Sequence, residues 1–394
     1  MALAEMAVGD GGPRLHPMYP LVDDGSLCAS AARVRCLCRR RQTCSTGNRP
    51  RHRMPRPRML RPAPPKGRLN GHRSPRHPLM SSTAAPNRLP VSVRRPQDFD
   101  EYWAGVMDEL ATVPLAPSLE HLPHRSTDVV DVFELRYTSL DHLKVAAWYC
   151  APKADYAPPP YPGLILSPGY ISEPVVPKSL AKQGYAALSL APRGKLRSNT
   201  AFNPGYPGLL VRDIVDRGTY GYRGFYADAC RAMDFLVGRP EVDASRIGVH
   251  GSSQGGALSL VLAALRKASV VCCAVGAPFL CGIWDATRLT HSYPYEEISE
   301  FLRAHPDLGP QVENTVAYYD VINFAPMIRC PTLVHLGLAD DVCPPETGLA
   351  LFASLSCPKQ LLTMEGAAHD AGAHFFAGNV QEFLAEHLKP VGVR

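Results

Sequence analysis

Gly251-Ser252-Ser253-Gln254-Gly255-Gly256 is the stretch on which the reading of this chain turns. The apolar run Ile247-Gly248-Val249-His250 precedes it and a helix-like run, residues 257–265, follows it, so the order is strand, tight turn, helix. In such a turn the central serine takes a strained backbone conformation and its hydroxyl stands clear of the strand end, while the flanking glycines remove Cβ atoms that would collide. Ser253 is therefore the candidate nucleophile. Ser252 is read as a turn residue, because only the central position of the pentapeptide reaches the apex. A Gly-rich turn without chemistry would satisfy the same five residues; the strand and helix patterns on either side favour the elbow.

Outward from the elbow, the chain alternates. Residues 97–103 begin a helical pattern in which Phe99, Trp103, Val106 and Met107 share a face. Residues 129–137 and 143–151 read as strands, and two strands before the first crossover predict an antiparallel edge. Beyond a proline linker at 158–162 come a strand at 164–166, a helix at 178–183 and a strand at 185–190. A long irregular stretch, 192–222, leads to a helix at 225–237, and connections of that length inside a domain are usually functional. Strands follow at 270–275, 332–336 and 360–364, with helical patterns at 295–303, from 346, and at 375–387. Short apolar strands alternating with helices predict a doubly wound, mostly parallel α/β sheet.

A serine hydroxyl is a weak nucleophile at neutral pH and needs a general base, which in turn needs a carboxylate to hold its tautomer. On an elbow of this kind the order along the chain is Ser, then acid, then His. His335 lies inside a strand and His387 near a helix end, so both read as structural. His369 lies in the loop Gly366-Ala367-Ala368-His369-Asp370 just after a strand, where a base belongs; His374, at the start of the last helix, is the competing choice. Asp340 and Asp341 precede Val342-Cys343-Pro344-Pro345, a loop too stiff for a helix. Position alone does not separate the two aspartates.

A resemblance rests on several stretches together: Asp98-Phe99-Asp100-Glu101-Tyr102-Trp103, Tyr206-Pro207-Gly208, the elbow itself, Pro278-Phe279-Leu280-Cys281, Tyr319-Asp320-Val321-Ile322-Asn323-Phe324, and residues 337–345. From about Pro96 to Leu388 the chain resembles the acetyl xylan esterase and cephalosporin-C deacetylase family of α/β-hydrolases, carbohydrate esterase family seven. The resemblance implies an α/β-hydrolase fold, with Asp340 as the acid, His369 as the base, and an oxyanion hole formed by the backbone N–H groups of Tyr170 and Gln254. It also implies a small acetylated sugar or similar alcohol as substrate, a homo-oligomeric assembly, and no cofactor or metal. Two departures stand out: the family's Arg-Gly-Gln-Gly appears as Arg193-Gly194-Lys195-Leu196, and its His-Glu as His369-Asp370. Lys195 and Leu196 motivate an alternative, an esterase for larger or non-carbohydrate esters.

Charge divides the 394 residues unevenly. Residues 1–97 hold 19 Lys and Arg against four acids, a net +15, so with +6 for the whole chain the remainder carries −9. No acid occurs from Gly25 to Gln97, and Arg and Pro recur as in Pro55-Arg56-Pro57-Arg58. Such a composition cannot bury enough apolar surface to fold alone, so residues 1–95 are expected to be a disordered basic arm and residues 96–390 the catalytic domain. The arm has three readings: a translated stretch upstream of a functional start near Met80, an organelle-targeting presequence, or a tail for an anionic partner. The last gives a reading of another class, a catalytically idle body whose arm binds nucleic acid, opposed by the intact Ser253, Asp340 and His369 set. Twelve cysteines without a C-x-x-C pair, eight of them in or beside apolar runs, read as reduced thiols and point to a cytoplasmic location. The longest weakly polar run, 270–284, is broken by Gly276, Pro278 and Gly282 and is shorter than the ~20 residues of a membrane span.

Overall fold

Residues 247–249 are buried in the strand that carries the elbow, and neighbouring strands flank it on both sides. The structure, a computed structural model, describes residues 91–393. The expected disorder of the arm, and Cys28, Cys36, Cys38 and Cys44, lie outside the described residues up to residue 90. Among the described residues nine strands form one sheet: β1 (Ser118–His121), β2 (Val130–Thr138), β3 (Lys144–Pro152), β4 (Tyr161–Ser167), β5 (Ala186–Ala191), β6 (Val242–Ser252), β7 (Val270–Gly276), β8 (Thr332–Gly337) and β9 (Lys359–Met364). Their order is β1-β2-β3-β5-β4-β6-β7-β8-β9. The pairs β1·β2, β2·β3 and β3·β5 are antiparallel; every pair from β5·β4 to β8·β9 is parallel.

The antiparallel edge therefore has one strand more than the sequence predicts. β1, Ser-Leu-Glu-His, is mostly exposed and has no apolar alternation; it exists because Leu119 pairs with Leu135 of β2 in a ladder that the local sequence does not announce. Elsewhere the two-sided burial of the parallel strands explains their apolar runs. Ile165, Cys273, Val275, Val334 and Leu336 share one core with the helices Phe99–Thr112, Gly221–Val237 and Gln254–Leu265. Their neighbours Leu164, Cys272, Ala274 and Leu333 point the other way, onto Val380, Phe383, Leu384 and Leu388 of the helix Ala373–Leu388. The sheet is covered on both faces.

The first helix buries Phe99, Trp103, Val106 and Leu110, and the Trp103 indole N–H donates to Tyr318 O at 2.8 Å. Ahead of it, Ser92 N–H donates to Asp285 at 2.5 Å and Arg95 Nε–H to Asn323 O at 3.1 Å. Residues 92–95, assigned to the arm by composition, thus lie against the folded body.

Short helices escaped the sequence reading, among them Ile283–Leu289 and Gly309–Ala317. Ile283–Leu289 starts after Gly282, and the Asp320 carboxylate accepts the N–H groups of Gly282 (3.1 Å) and Ile283 (2.7 Å) as well as Ile322 (3.0 Å). Burial pushes this carboxyl up to about 7 against those three bonds. Gly309–Ala317 begins with a Gly-Pro pair that reads as a turn.

The long stretch after β5 is anchored where it leaves the sheet. Arg193 is buried, and its Nε–H and one Nη2–H donate to Asp228 at 3.0 Å each, while the Arg193 backbone N–H reaches the same carboxylate at 2.8 Å. The rest of the guanidinium is taken by Asp141 (2.7 Å) and Leu140 O (2.9 Å). Asp228 lies wholly inside, on the helix Gly221–Val237, so neither charge has water to fall back on. Asp228→Asn keeps the shape and removes the charge. It is expected to cost about 3–5 kcal/mol by stranding the guanidinium, read as a clear fall in the urea midpoint; an unchanged midpoint would mean that Asp141 alone neutralises Arg193.

Candidate active site

β6 ends in a turn that only glycine permits at two places. A Cβ on Gly251 would stand 2.4 Å from the Gly255 carbonyl, and one on Gly255 would stand 2.1 Å from Ser167 O. Between them Ser253 has φ 55° and ψ −124°, a conformation that costs a side-chain-bearing residue about 1–3 kcal/mol. Its N–H donates to Gly276 O at 2.9 Å, and its carbonyl accepts from Ala257 N–H (3.1 Å) and Phe279 N–H (3.0 Å). These bonds tie the turn to the end of β7 and to the helix Gln254–Leu265. Ser252 donates its hydroxyl to Gly276 O at 3.1 Å and so packs into the turn.

The loops after β8 and β9 bring the other two groups to the same place. His369 Nδ1 lies 3.1 and 3.0 Å from the two Asp340 oxygens, and His369 Nε2 lies 3.0 Å from Ser253 Oγ. A carboxylate at Nδ1 selects the Nδ1–H tautomer, which leaves Nε2 to accept the serine proton. Asp340 is buried and its Oδ1 also accepts the N–H groups of Val342 and Cys343, both at 2.9 Å, so its direction is set by the backbone. Asp341 is exposed and offers only its carbonyl, to the Thr290 hydroxyl. His374 is exposed on the last helix and joins none of these groups. His335 donates Nδ1–H to Ala371 O at 3.0 Å and His387 to Phe383 O at 2.9 Å.

Gly169 and Tyr170, in the loop after β4, line a cleft of about 710 Å³ together with Ser253 and His369. Gln254 opens the helix behind the serine. Among the described residues, neither the Tyr170 nor the Gln254 backbone N–H has a hydrogen-bond partner, so both remain available to a ligand. The Tyr170 phenol is already engaged: it donates to Glu297 at 2.7 Å and accepts Leu210 N–H at 3.0 Å. Glu297 also accepts from Gly208 N–H (2.9 Å) and Leu210 N–H (3.1 Å), and burial raises its carboxyl above the usual range.

Glu297 is a residue that sequence reasoning missed. In Glu296-Glu297-Ile298-Ser299-Glu300 it reads as one acid of a solvated helix face, and nothing nearby announces that Tyr170 lies 127 positions earlier against it. His250 also lines the cleft, with Nδ1–H donated to Ala274 O at 2.9 Å and burial lowering its imidazole below the ordinary value. Among the described residues, no three His, Cys, Asp or Glu side chains gather closely enough to hold a metal ion, and no helix is long and apolar enough to cross a membrane.

Known proteins carry the same arrangement of chain. Residues 90–387 match the acetyl xylan esterase family. The acetyl esterase Axe7A of Xylanibacter ruminicola is 31% identical over 293 residues, 71% of this chain, and the match spans 64% of that relative's length. Among solved structures, an acetyl xylan esterase from Paenibacillus sp. R4 superposes with a TM-score of 0.71 at 31% identity, covering 75% of this chain and 96% of that one. Acetyl xylan esterase 1 from Thermoanaerobacterium sp. JW/SL YS485 gives 0.69 at 26% identity, covering 75% and 95%. With a match over most of its described length, an α/β-hydrolase sheet and a serine elbow facing His369, this chain belongs to the acetyl xylan esterase family.

Proposed function

We propose that the protein is a serine esterase that removes acetyl groups from hydroxyls of sugars or related alcohols through an acyl-enzyme. The observation that carries this reading is the unbroken hydrogen-bond line from Asp340 through His369 to Ser253, ending in an open cleft. Ser253 Oγ attacks the ester carbonyl carbon while His369 Nε2 takes its proton. The carbonyl oxygen becomes an oxyanion, met by the N–H groups of Tyr170 and Gln254, each such donor contributing about 3 kcal/mol in serine hydrolases. His369 then returns the proton to the departing alcohol oxygen, leaving acetyl on Ser253. Water repeats the sequence with the same base and releases acetate. Asp340 holds the imidazole in the useful tautomer and stabilises the imidazolium without taking the proton itself. No step calls on a cofactor.

The homo-oligomer and the cytoplasmic location expected from the sequence belong to this reading. A reducing compartment suits the eight free cysteines among the described residues, seven of them buried.

A second reading changes only the substrate. Lys195, where the family motif has Gln, bonds the carbonyls of Gly169 and Tyr170 in the cleft loop, and a cleft of about 710 Å³ has room beyond an acetyl group. Initial rates on acetyl, butyryl and octanoyl p-nitrophenyl esters separate the two: the deacetylase predicts the highest kcat/KM for acetyl, and equal or faster octanoyl turnover would move the assignment to longer esters.

Two substitutions test the chemistry. Ser253→Ala is expected to fold and to lose at least about a thousandfold in kcat on p-nitrophenyl acetate; activity equal to the parent would remove Ser253 from the mechanism. Asp340→Asn is expected to lower kcat by roughly a hundredfold or more by freeing the wrong tautomer, whereas Asp341→Asn stays within about twofold. The reverse ranking would assign the acid to Asp341.

A further inference from the structure

Lys195 is buried to 2% exposure beside the loop that holds Gly169 and Tyr170. Its Nζ donates to Gly169 O at 2.5 Å and to Tyr170 O. The same ammonium lies 5.2 Å from the centre of the Tyr206 ring, a favourable place for a cation. Unlike Arg193 two residues earlier, which Asp228 and Asp141 neutralise, Lys195 pairs with no carboxylate among the described residues; Glu173 acts on it from further off. A buried, unpaired charge is costly and calls for a reason.

The reason lies in which peptide it touches. The amide whose oxygen is Gly169 O carries the Tyr170 N–H at its other end. A cation on the oxygen draws electron density from the nitrogen, so that N–H becomes a stronger donor, and the second bond to Tyr170 O prevents the peptide plane from turning. Gln254 contributes from the other side: its Nε2–H reaches Gly169 O at 3.4 Å, and its Oε1 accepts from the Tyr222 hydroxyl at 2.9 Å. One carbonyl oxygen thus connects Lys195 and Gln254 to the peptide whose N–H the esterase reading assigns to the oxyanion.

We propose that Lys195 is a positioning residue for ester hydrolysis, its ammonium aiming and polarising the Tyr170 N–H through the Gly169 and Tyr170 carbonyls. The inference rests on the esterase reading above and adds to it a residue through which the oxyanion site is tuned.

The amine titrates in a useful range. Burial pulls it from its ordinary value down to about 7, with Glu173 opposing. The groups around it are few. Glu173 is itself raised by burial, with Arg197 and Lys195 acting against that shift. The Tyr206 and Tyr170 phenols are pushed up by burial and stay neutral, and Glu297, also raised by burial, is held by Tyr170 and two backbone N–H groups. Arg193 keeps its own partners. The charged form of Lys195 therefore dominates well below about 7 and is lost as pH rises through it. The polarisation fades with it, so kcat falls on the alkaline side.

The test compares kcat and KM for p-nitrophenyl acetate across the pH range in the parent, Lys195→Gln and Lys195→Met, with Ser253→Ala alongside. The parent is expected to lose roughly three- to tenfold in kcat on the alkaline limb, Lys195→Gln to keep a parent-like neutral kcat within about fivefold without that limb, and Lys195→Met to lose about 10- to 100-fold in kcat with KM within about threefold. An alkaline limb retained in Lys195→Gln overturns the proposal, as does a Lys195→Met loss that falls wholly in KM. If Lys195→Met does not fold, the Lys195→Gln profile decides alone. Hydrolysis that needs Ser253 but ignores Lys195 refutes only this inference; hydrolysis indifferent to Ser253 refutes the esterase reading and this one with it.

Discussion

Ser253 is held at φ 55° and ψ −124° by its neighbours rather than by its own preference. Three backbone bonds, to Gly276, Ala257 and Phe279, each contribute about 1 kcal/mol and together offset a strain of similar size. Gly251 and Gly255 make room for the turn by carrying no Cβ. A serine relaxed into the ordinary helical region would carry its hydroxyl away from His369, so the reach of 3.0 Å between them depends on this local conflict being maintained. Strain of this kind is stable only where the surroundings over-determine it, and here the end of β7, the residues just after it and the helix Gln254–Leu265 supply them.

The parallel half of the sheet then makes the meeting of distant residues almost inevitable. β4, β6, β8 and β9 run in the same direction, so the loops that follow them emerge along one edge: 169–170, 253, 340 and 369 are all such positions. The β8 and β9 loops are further tied by Leu338 N–H to Met364 O (3.0 Å) and Ala339 N–H to Ala367 O (2.9 Å). Asp340 and His369 therefore approach the serine as one unit. The cleft is completed from outside the sheet by residues 206–207, 293–294 and Glu297.

What could be read from the chain was what local chemistry encodes. A strand, two glycines and a helix announce Ser253, and a Gly-Ala loop after a strand announces His369. The parallel strands were legible because burial on both faces leaves them apolar throughout. The choice between Asp340 and Asp341 was not legible from their side chains, which are adjacent and identical; the backbone N–H groups of Val342 and Cys343 hold the first, which also meets His369. β1 was hidden because its side chains are exposed and its partner lies in another segment. The cap of Ile283–Leu289 was hidden because Asp320 lies 37 positions from Ile283. Glu297 carried no local signal, and Lys195 stood out only as a departure from the family motif; their buried positions involve contacts across 127 and 26 positions respectively.

The docking of the first helix carries a consequence for how the protein is made. Trp103 donates its indole N–H to a carbonyl 215 positions later, and Phe99 and Trp103 pack against Tyr318, Tyr319 and Phe324. A ribosome adding about 5–20 residues per second needs roughly 10–40 s to cross that interval. Throughout it, the apolar stripe of Phe99, Trp103, Val106 and Leu110 lacks much of its eventual cover and presents a sticky surface to other nascent chains. The element synthesised first among those described is thus among the last that can close, and a chaperone that shields this stripe during translation would act on a surface left open for most of the synthesis of the described residues.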